Sequence, residues 1–400
     1  MTRRFRLLTA AFAALVATAA APSVAQEYKI GDVNSYKSQP QHLEHYRRGM
    51  QLALDEINGA GGINGRKLVV VTRDDNGNPG EAVRAAEELV SREKVDALSG
   101  SFLSSVALAL NDFSRQKKVF FLATMSLSDR MIWQEGQRYG FRLRAGTYTQ
   151  TAMLAAEAAR LKKKRWALVY PNYEFGQSAA ATFKQMLKAV QPDVEFVAEQ
   201  APALGKIDAG SVVQALDDAK PDAIFNVLFS ADLIKFVRAG NTRGLFEKRS
   251  VLSLVTGEPE NLDPLKEDTP QGWIVTGYPW QSVRTPEHDA FFKAYQARFG
   301  DYPRISSIMG YNTVRSIAEG LRKAGSSDQD KLVAAFKGLR VATPWGPITY
   351  RPEDNQSTLG SFIGVTRLID GKGVMTEGRY ADGLEYQPPL ADVLKLRKPE

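Results

Sequence analysis

Residues 46–75, which decide the fold, read Y-R-R-G-M-Q-L-A-L-D-E-I-N-G-A-G-G-I-N-G-R-K-L-V-V-V-T-R-D-D. Apolar residues recur at steps of three and four from Leu43 to Ile57, and this spacing predicts an amphipathic helix. Residues 59–65 are glycine-rich and predict a tight reversal, because glycine adopts positive φ angles at little cost. An apolar, β-branched strand is predicted at 68–72. Helix, turn and buried strand form the αβ half of a βαβ unit, and residues 28–33 would supply the preceding strand.

The same alternation continues on the C-terminal side and predicts an α/β fold with parallel sheets. It pauses at 144–149 and then restarts, which indicates a second α/β unit with its own sheet. Strands are predicted at 95–99, 119–124, 166–170, 194–198, 223–228, 251–255 and 272–278. Helices are predicted at 81–92, 106–113, 151–161, 177–190, 210–219, 233–239, 286–299, 306–324 and 328–339. The chain from Leu384 onwards is predicted to be irregular surface chain.

The N-terminus has the pattern of a secretory signal peptide. Three arginines precede an apolar run at 7–21, and S-V-A at 23–25 provides a small-x-small cleavage signal. We expect residues 1–25 to be removed and the mature chain to begin near Gln26, which would place the protein in the periplasm. Because this leader contains no acidic residue, its loss would lower the net charge from +7 to about +4. That modest charge does not point to nucleic acid.

Several patterns resemble sites of other protein classes but lack the required context. The glycines at 59–65 follow a helix and precede a strand, the reverse of a phosphate-binding loop. His42 and His45 lack the H-E-x-x-H spacing of a zinc site, and Asp74–Asp75 has no further oxygen ligands nearby. The basic run 162–165 has no interleaved aromatic residues, and G-x-S-x-G does not occur. With no cysteine in the chain, these features predict a protein without enzymatic activity, a metal, a cofactor or nucleic-acid binding.

The loops that follow the predicted strands carry the candidate binding residues. In open parallel sheets, ligands bind beyond the carboxyl ends of the strands and face the N-termini of helices. Ser104 and Ser105 open a helix, where hydroxyls and free backbone amides can either cap the helix or hold a carboxylate. The candidates are Tyr36, Phe102, Ser104, Ser105, Met125, Ser126, Leu127, Tyr173, Phe175, Phe229, Thr256 and Glu258.

Residues 53–67, A-L-D-E-I-N-G-A-G-G-I-N-G-R-K, resemble the motif A-x-x-E-I-N-x-A-G-G-I-x-G-R-K of periplasmic leucine/isoleucine/valine-type solute-binding proteins. The resemblance implies the type I periplasmic binding fold, in which two Rossmann-like parallel-sheet lobes are joined by a hinge. Lobe 1 would comprise 26–145 and 277–362, and lobe 2 would comprise 146–276 and 363–400.

The resemblance also implies roles for individual residues. Ser104, in the G-x-x-x-S of 100–104, would bind the ligand carboxylate, with a second contact from the loop 125–127. Phe175, which precedes a glycine, and Phe229 would supply aromatic contacts from lobe 2. Family members that bind amino acids place an acidic residue before a glycine to hold the ammonium group. Here Thr256 precedes that glycine and Glu258 follows it, and the first loop lacks the usual S-G-P, which speaks against an ordinary α-amino acid.

The expected function is that of a monomeric periplasmic receptor that delivers a small carboxylate-bearing ligand to the membrane permease of an ABC importer. The ligand would be a hydrophobic amino acid or an aromatic or otherwise apolar carboxylate. A sensory receptor that reports ligand occupancy to a regulatory partner is the alternative, and a hydrolase is a more distant one.

Overall fold

A computed structural model describes residues 27–397, so the predicted signal peptide lies outside the described residues. The strands are β1 (Tyr28–Asn34), β2 (Leu68–Asp74), β3 (Ala97–Gly100), β4 (Phe121–Ala123), β5 (Gly140–Arg142), β6 (Arg165–Val169), β7 (Glu195–Gln200), β8 (Ala223–Asn226), β9 (Ser250–Gly257), β10 (Ile274–Gly277), β11 (Arg340–Thr343), β12 (Gly346–Thr349), β13 (Ser361–Ile369) and β14 (Lys372–Ala381). The helices are α1 (Pro40–Gly59), α2 (Pro79–Ser91), α3 (Ser104–Lys117), α4 (Thr147–Leu161), α5 (Glu174–Val190), α6 (Ala209–Asp218), α7 (Ser230–Thr242), α8 (Pro259–Leu262), α9 (Pro286–Phe299), α10 (Ile305–Ala324), α11 (Gln329–Phe336), α12 (Gly383–Tyr386) and α13 (Leu390–Leu396).

The first sheet contains the five strands that come first in the chain. Its order is β2-β1-β3-β4-β5, and every neighbouring pair is parallel. All five strands therefore end at the same edge of the sheet, and the loops that follow them lie side by side. The predicted α/β architecture is confirmed here, although the three-residue strand β5 was not among the predicted strands.

The second sheet has seven strands in the order β14-β13-β10-β9-β8-β6-β7. Strands β6 to β10 pair in parallel, whereas β13 pairs antiparallel with β10, and β14 pairs antiparallel with β13. The second lobe is thus built on a parallel sheet that two antiparallel strands extend at one edge. A third, two-stranded sheet consists of β11 and β12.

The chain crosses between the two lobes more than once. After β10 in the second sheet, α10 packs along α1, and α1 connects two strands of the first sheet. Gly49 of α1 and Gly310 of α10 allow the two helix backbones to approach closely, since a Cβ atom at Gly49 would lie 1.9 Å from the carbonyl oxygen of Ser307. Strands β13 and β14 then return to the second sheet. The lobe limits proposed at 145, 277 and 362 stay a prediction.

The deciding stretch folds as its pattern predicts. Helix α1 buries Leu43, Tyr46, Met50 and Ile57 along one face. In the turn that follows, three glycines have φ between 76° and 94°, a region that other residues adopt at a cost. The helix end is fixed to the next strand by Asn58, whose side-chain amide donates to and accepts from the backbone of Leu68 at 2.8 and 2.9 Å.

The C-terminal tail was predicted to be irregular, and this prediction was wrong. Residues 383–386 form α12 and residues 390–396 form α13. The prolines at 388 and 389 do not prevent a helix, because Pro389 occupies the position before the first turn of α13, where a backbone N–H has no partner in the helix. Val393 anchors α13 by its burial. Within 27–397, no helix is both long enough and apolar enough to cross a membrane.

Candidate functional site

A cavity with about 350 Å³ of empty space, counting its mouth, lies between the two sheets at the carboxyl ends of their strands. Loops of the first sheet and helix α1 contribute His42, Phe102, Ser104, Met125, Leu127 and Arg144. Loops of the second sheet contribute Tyr173, Phe175, Phe229, Val255, Glu258 and Asn261. Both lobes therefore supply walls of the same cavity.

The structure brings most of the sequence-predicted residues together in this cavity. Those that line it are Phe102, Ser104, Met125, Leu127, Tyr173, Phe175, Phe229 and Glu258. Four others, Tyr36, Ser105, Ser126 and Thr256, are not among the lining residues.

Two of the outlying residues are held by partners inside the protein. The hydroxyl of Tyr36 donates to the Asp32 carboxylate at 2.6 Å. The hydroxyl of Thr256 lies 2.6 Å from that of Ser253 within the second lobe. Both side chains thus satisfy internal groups, so neither reaches the cavity.

The other two outlying residues are serines next to residues that do line the cavity. Ser105 follows Ser104 in α3 and is half-buried outside the cavity lining. Ser126 stands between Met125 and Leu127, and its buried hydroxyl has no hydrogen-bond partner. Each of these serines is thus adjacent in sequence to a residue that lines the cavity, but its own side chain lies outside the lining.

Aromatic rings form one side of the cavity. The ring of Phe229 lies 6.0 Å from that of Phe102, 6.0 Å from that of Phe175 and 6.4 Å from that of Tyr173. The imidazole of His42 lies 4.9 Å from the Phe102 ring. Phe102 belongs to the first lobe and the three rings of Phe229, Phe175 and Tyr173 to the second, so a flat apolar ligand placed among them would contact both lobes.

Three helices begin at the cavity without side-chain caps. The residues at their N-cap positions are Leu103 for α3, Tyr173 for α5 and Phe229 for α7, and none of these side chains accepts a hydrogen bond from its own helix. Asn78 caps α2 and Asp208 caps α6 with a side-chain oxygen, whereas α1 and α4 also begin without a side-chain cap at the N-cap position. Backbone amides without partners in the helix and the positive end of the helix dipole lie at such a start, although the first amide of α7, that of Ser230, donates to Asn261 Oδ1 at 2.9 Å. The cavity therefore favours a negatively charged group.

The cavity also contains a buried ion pair between the lobes. The Arg144 guanidinium, from the loop after β5, bonds to the carboxylate of Glu258, from the end of β9. Their side chains are only 7 % and 3 % exposed. His42 Nε2 lies 4.0 Å from Glu258 Oε2, and His42 Nδ1 has no hydrogen-bond partner.

Burial shifts the pKa values of the groups in this cavity strongly. It raises the pKa of Glu258 to about 7; Arg144 opposes this shift and the neighbouring Glu260 adds to it. Burial, together with the charges of Arg144 and His45, lowers the pKa of His42 to about 3. Burial also raises the pKa of Tyr173. At neutral pH the imidazole and the phenol are therefore uncharged, while Glu258 is close to its point of half-protonation.

The backbone at the cavity wall is strained at Val255. Its φ is +56°, a left-handed value that is rare for a β-branched residue. The surroundings hold this conformation, because the Val255 amide donates to Thr276 Oγ1 at 3.0 Å and its carbonyl accepts from Asn261 Nδ2 at 2.9 Å. Strain of this kind clusters at functional sites.

Sequence reasoning missed four lining residues, namely His42, Arg144, Val255 and Asn261. Arg144 follows β5, and the same strand-end reasoning would have included it had a strand been predicted at 140–142. His42 was considered only as a metal ligand. Among residues 27–397, no group of three or more His, Cys, Asp or Glu side chains is placed to hold a metal ion.

The model of the periplasmic binding protein family matches residues 28–368. The chain belongs to the periplasmic binding protein family. This confirms the resemblance that residues 53–67 indicate. A similar curated protein is the Leu/Ile/Val-binding protein homolog 7 of Brucella melitensis, which is 24% identical over 98% of this chain and 99% of its own length.

Solved structures of the same two-lobed type are similar to most of the chain. A solute-binding protein of an ABC transporter from Rhodopseudomonas palustris HaA2, in complex with p-hydroxybenzoic acid, has a TM-score of 0.82 at 23% identity and covers 91% of this chain and 98% of its own. A branched-chain amino acid transporter substrate-binding protein from Streptococcus pneumoniae, in complex with isoleucine, has a TM-score of 0.77 at 20% identity, with 89% and 100% coverage. The two-lobe α/β fold is thereby confirmed.

Proposed function

We propose that this protein is the periplasmic solute-binding receptor of an ABC importer and that its ligand is a small aromatic or otherwise apolar carboxylate. Membership of the periplasmic binding protein family supports the role in transport. The protein would act as a monomer that encloses the ligand between its lobes and presents it to the membrane permease. Binding and release require no covalent step.

One observation carries the proposal: three helices without side-chain caps begin at a cavity that is walled by aromatic rings. A carboxylate placed at these helix starts would accept hydrogen bonds from amides that lack partners within the helices. Ser104, the first residue of α3, adds a hydroxyl at the same place. The rest of the ligand would lie against the rings around Phe229, which suits a planar apolar body.

The Arg144–Glu258 pair favours a ligand without an ammonium group. A zwitterionic amino acid needs a carboxylate in the cavity to receive its ammonium group. The carboxylate of Glu258 is already bonded to the Arg144 guanidinium. Structural neighbours include proteins in complex with 3,4-dihydroxybenzoic acid and benzoate as well as the one with isoleucine, so the fold accommodates both ligand classes.

Calorimetric titration with benzoate, 4-hydroxybenzoate and isoleucine tests the proposal. We expect the two aromatic acids to bind and isoleucine to bind at least about tenfold more weakly. Phe229→Ala should weaken 4-hydroxybenzoate by up to about tenfold, because an aromatic pair contributes about 0.5–1.5 kcal/mol beyond its buried area. The same substitution should change the weaker binding of isoleucine less. Tight binding of isoleucine together with no detectable binding of either aromatic acid would contradict the proposed ligand class.

A further inference from the structure

The ion pair in the cavity leaves no spare positive charge for an anionic ligand. Arg144 and Glu258 are both buried, and their opposite charges cancel when Glu258 is ionised. Arg144 is the only lysine or arginine among the residues that line the cavity. A ligand carboxylate that enters would bring a second negative charge beside a single cation. Burying such an excess charge is costly unless the charge is removed or paired.

Other groups near Glu258 do not absorb this charge. His42, from α1, is neutral at neutral pH, since burial lowers its pKa to about 3. Glu260, from α8, does not line the cavity, and its carboxylate accepts a 2.8 Å hydrogen bond from the Ser306 amide of α10. The Tyr173 phenol, whose pKa is raised by burial, stays protonated. Glu258 is thus the group in the cavity whose charge can change near neutral pH.

We propose that binding of a carboxylate ligand takes up one proton at Glu258, while Arg144 changes its partner from Glu258 to the ligand carboxylate. The inference rests on the proposed ligand class. The protonation balances: an ionised Glu258, an ionised ligand and one proton become a neutral Glu258 acid beside an ionised ligand paired with Arg144. One cation then faces one anion, and the protonated Glu258 can donate a hydrogen bond.

With the lobes together, the electrostatics of the cavity before a ligand enters make this step inexpensive. Burial already raises the pKa of Glu258 to about 7, in spite of the adjacent guanidinium. A second anion nearby and the departure of Arg144 would both raise that pKa further in the complex. Proton uptake by Glu258 slightly above neutral pH is therefore only mildly unfavourable before the ligand enters. Glu258 would accordingly determine specificity, since it admits an anion only together with a proton.

The affinity for a carboxylate ligand should fall as the pH rises. Glu258 would have a higher pKa in the complex than in the free protein, so affinity is lost as the pH rises above the pKa of the free protein. Below about pH 7 the carboxyl group is already protonated, and the affinity should be nearly constant. Above that pH, the affinity should fall by up to about tenfold for each pH unit.

Isothermal titration of the mature protein with benzoate at pH 6, 7, 8 and 9 tests the inference. Repeating the titration at pH 8 in buffers of different ionisation enthalpy counts the protons taken up. We expect uptake of close to one proton and a dissociation constant that rises about tenfold between pH 8 and pH 9. In Glu258→Gln, both the proton uptake and the pH dependence should disappear. Glu260→Gln, a matched substitution of the neighbouring buried glutamate outside the cavity lining, should keep the proton uptake.

The outcomes separate this inference from the proposed function. If benzoate binds without proton uptake and with an affinity that does not change with pH, the proton coupling is overturned while the ligand class stands. If benzoate fails to bind at every pH, both the proposed ligand class and the coupling fail. The proton count in the unaltered protein decides even if Glu258→Gln does not fold, because it requires no variant.

Discussion

At the scale of single residues, two adjacent side chains of the same type can differ in whether they face the cavity. Ser104 and Ser105 both open α3 and are equally good candidates from the sequence. Consecutive residues of a helix point about 100° apart, so only one of them can face a given cavity. Ser104 is 1 % exposed and lines the cavity, whereas Ser105 is half-buried outside it.

Ser104→Ala should weaken carboxylate binding by roughly ten- to a hundredfold. A hydrogen bond to a charged group contributes about 1.5–3 kcal/mol, and about 1.4 kcal/mol corresponds to a factor of ten. The melting temperature without ligand should change little, because Ser104 is not the N-cap residue of α3, the position at which losing a hydroxyl costs about 1 kcal/mol. Calorimetric titration with benzoate measures the effect.

Ser105→Ala is the matched control, since it removes the same hydroxyl from the next position of the same helix. Its affinity should stay within about twofold of that of the unaltered protein, because the changed side chain does not line the cavity. Equal affinities for Ser104→Ala and Ser105→Ala would move the carboxylate away from the start of α3.

The rule that ligands bind beyond the carboxyl ends of parallel strands predicted loops that meet at the cavity. Which side chains of those loops line the cavity depends on the direction in which each one points. The loops that carry Phe102, Met125, Tyr173 and Phe229 do converge, because parallel strands end at one edge of their sheet. The sequence could not reveal that the Tyr36 hydroxyl bonds to Asp32, which lies four residues earlier in the chain. Such internal pairings depend on the folded geometry and leave no spacing pattern.

At the scale of secondary-structure elements, the α1–turn–β2 unit was the most predictable part. Its helical period, its glycines and its β-branched strand all favour the same local structure. Such agreement between local signals makes the structure of a segment predictable from its sequence. Short strands without a period were not predictable, as β5 shows with three residues. Missing β5 also removed Arg144 from the candidates, so an error about an element became an error about the site.

The close approach of α1 and α10 leads to a prediction about stability. Gly49→Ala should lower the free energy of unfolding by about 3 kcal/mol, since its Cβ would lie 1.9 Å from the backbone carbonyl oxygen of Ser307 and overpacking typically costs about 1–3 kcal/mol. The backbone of α10 would have to move, because no flexible side chain can give way. Calorimetric melting measures the loss.

Gly59→Ala provides the control within the same helix. Apart from its chain neighbours and the backbone of its own helix, no atom lies within 4 Å of a Cβ added at Gly59, and its φ is not in the left-handed region. Alanine is preferred to glycine in helices, so stability should stay the same or rise by up to about 1 kcal/mol. If Gly49→Ala melts no earlier than Gly59→Ala, the two helices are not packed as closely as described.

At the scale of the whole molecule, polar contacts join the two lobes around the cavity. The Ser230 hydroxyl, at the start of α7, donates to the side-chain oxygen of Gln39 before α1 at 3.0 Å. The Ser128 hydroxyl, after β4, donates to Glu174 of α5 at 2.8 Å. These contacts connect loops of the first sheet with the starts of helices in the second lobe. They are the contacts that separation of the lobes would break.

Because both lobes supply walls of the cavity, we predict that ligand binding closes the molecule. A ligand seated between Ser104 in the first lobe and Phe229 in the second would add contacts that exist only when the lobes are together, and it would shift the population towards the closed form. Small-angle X-ray scattering with saturating benzoate should therefore give a smaller radius of gyration than scattering without it. The melting temperature should rise as well, since free ligand at 100 times its dissociation constant stabilises the folded protein by about 2.7 kcal/mol.

The variant Ser104→Ala provides the control. When more benzoate brings it to the same occupancy, its radius of gyration should decrease equally, because the substitution weakens binding without removing the ligand's contacts with the second lobe. A radius of gyration that stays the same at full occupancy would show that the lobes do not move and that the cavity fills in a rigid receptor.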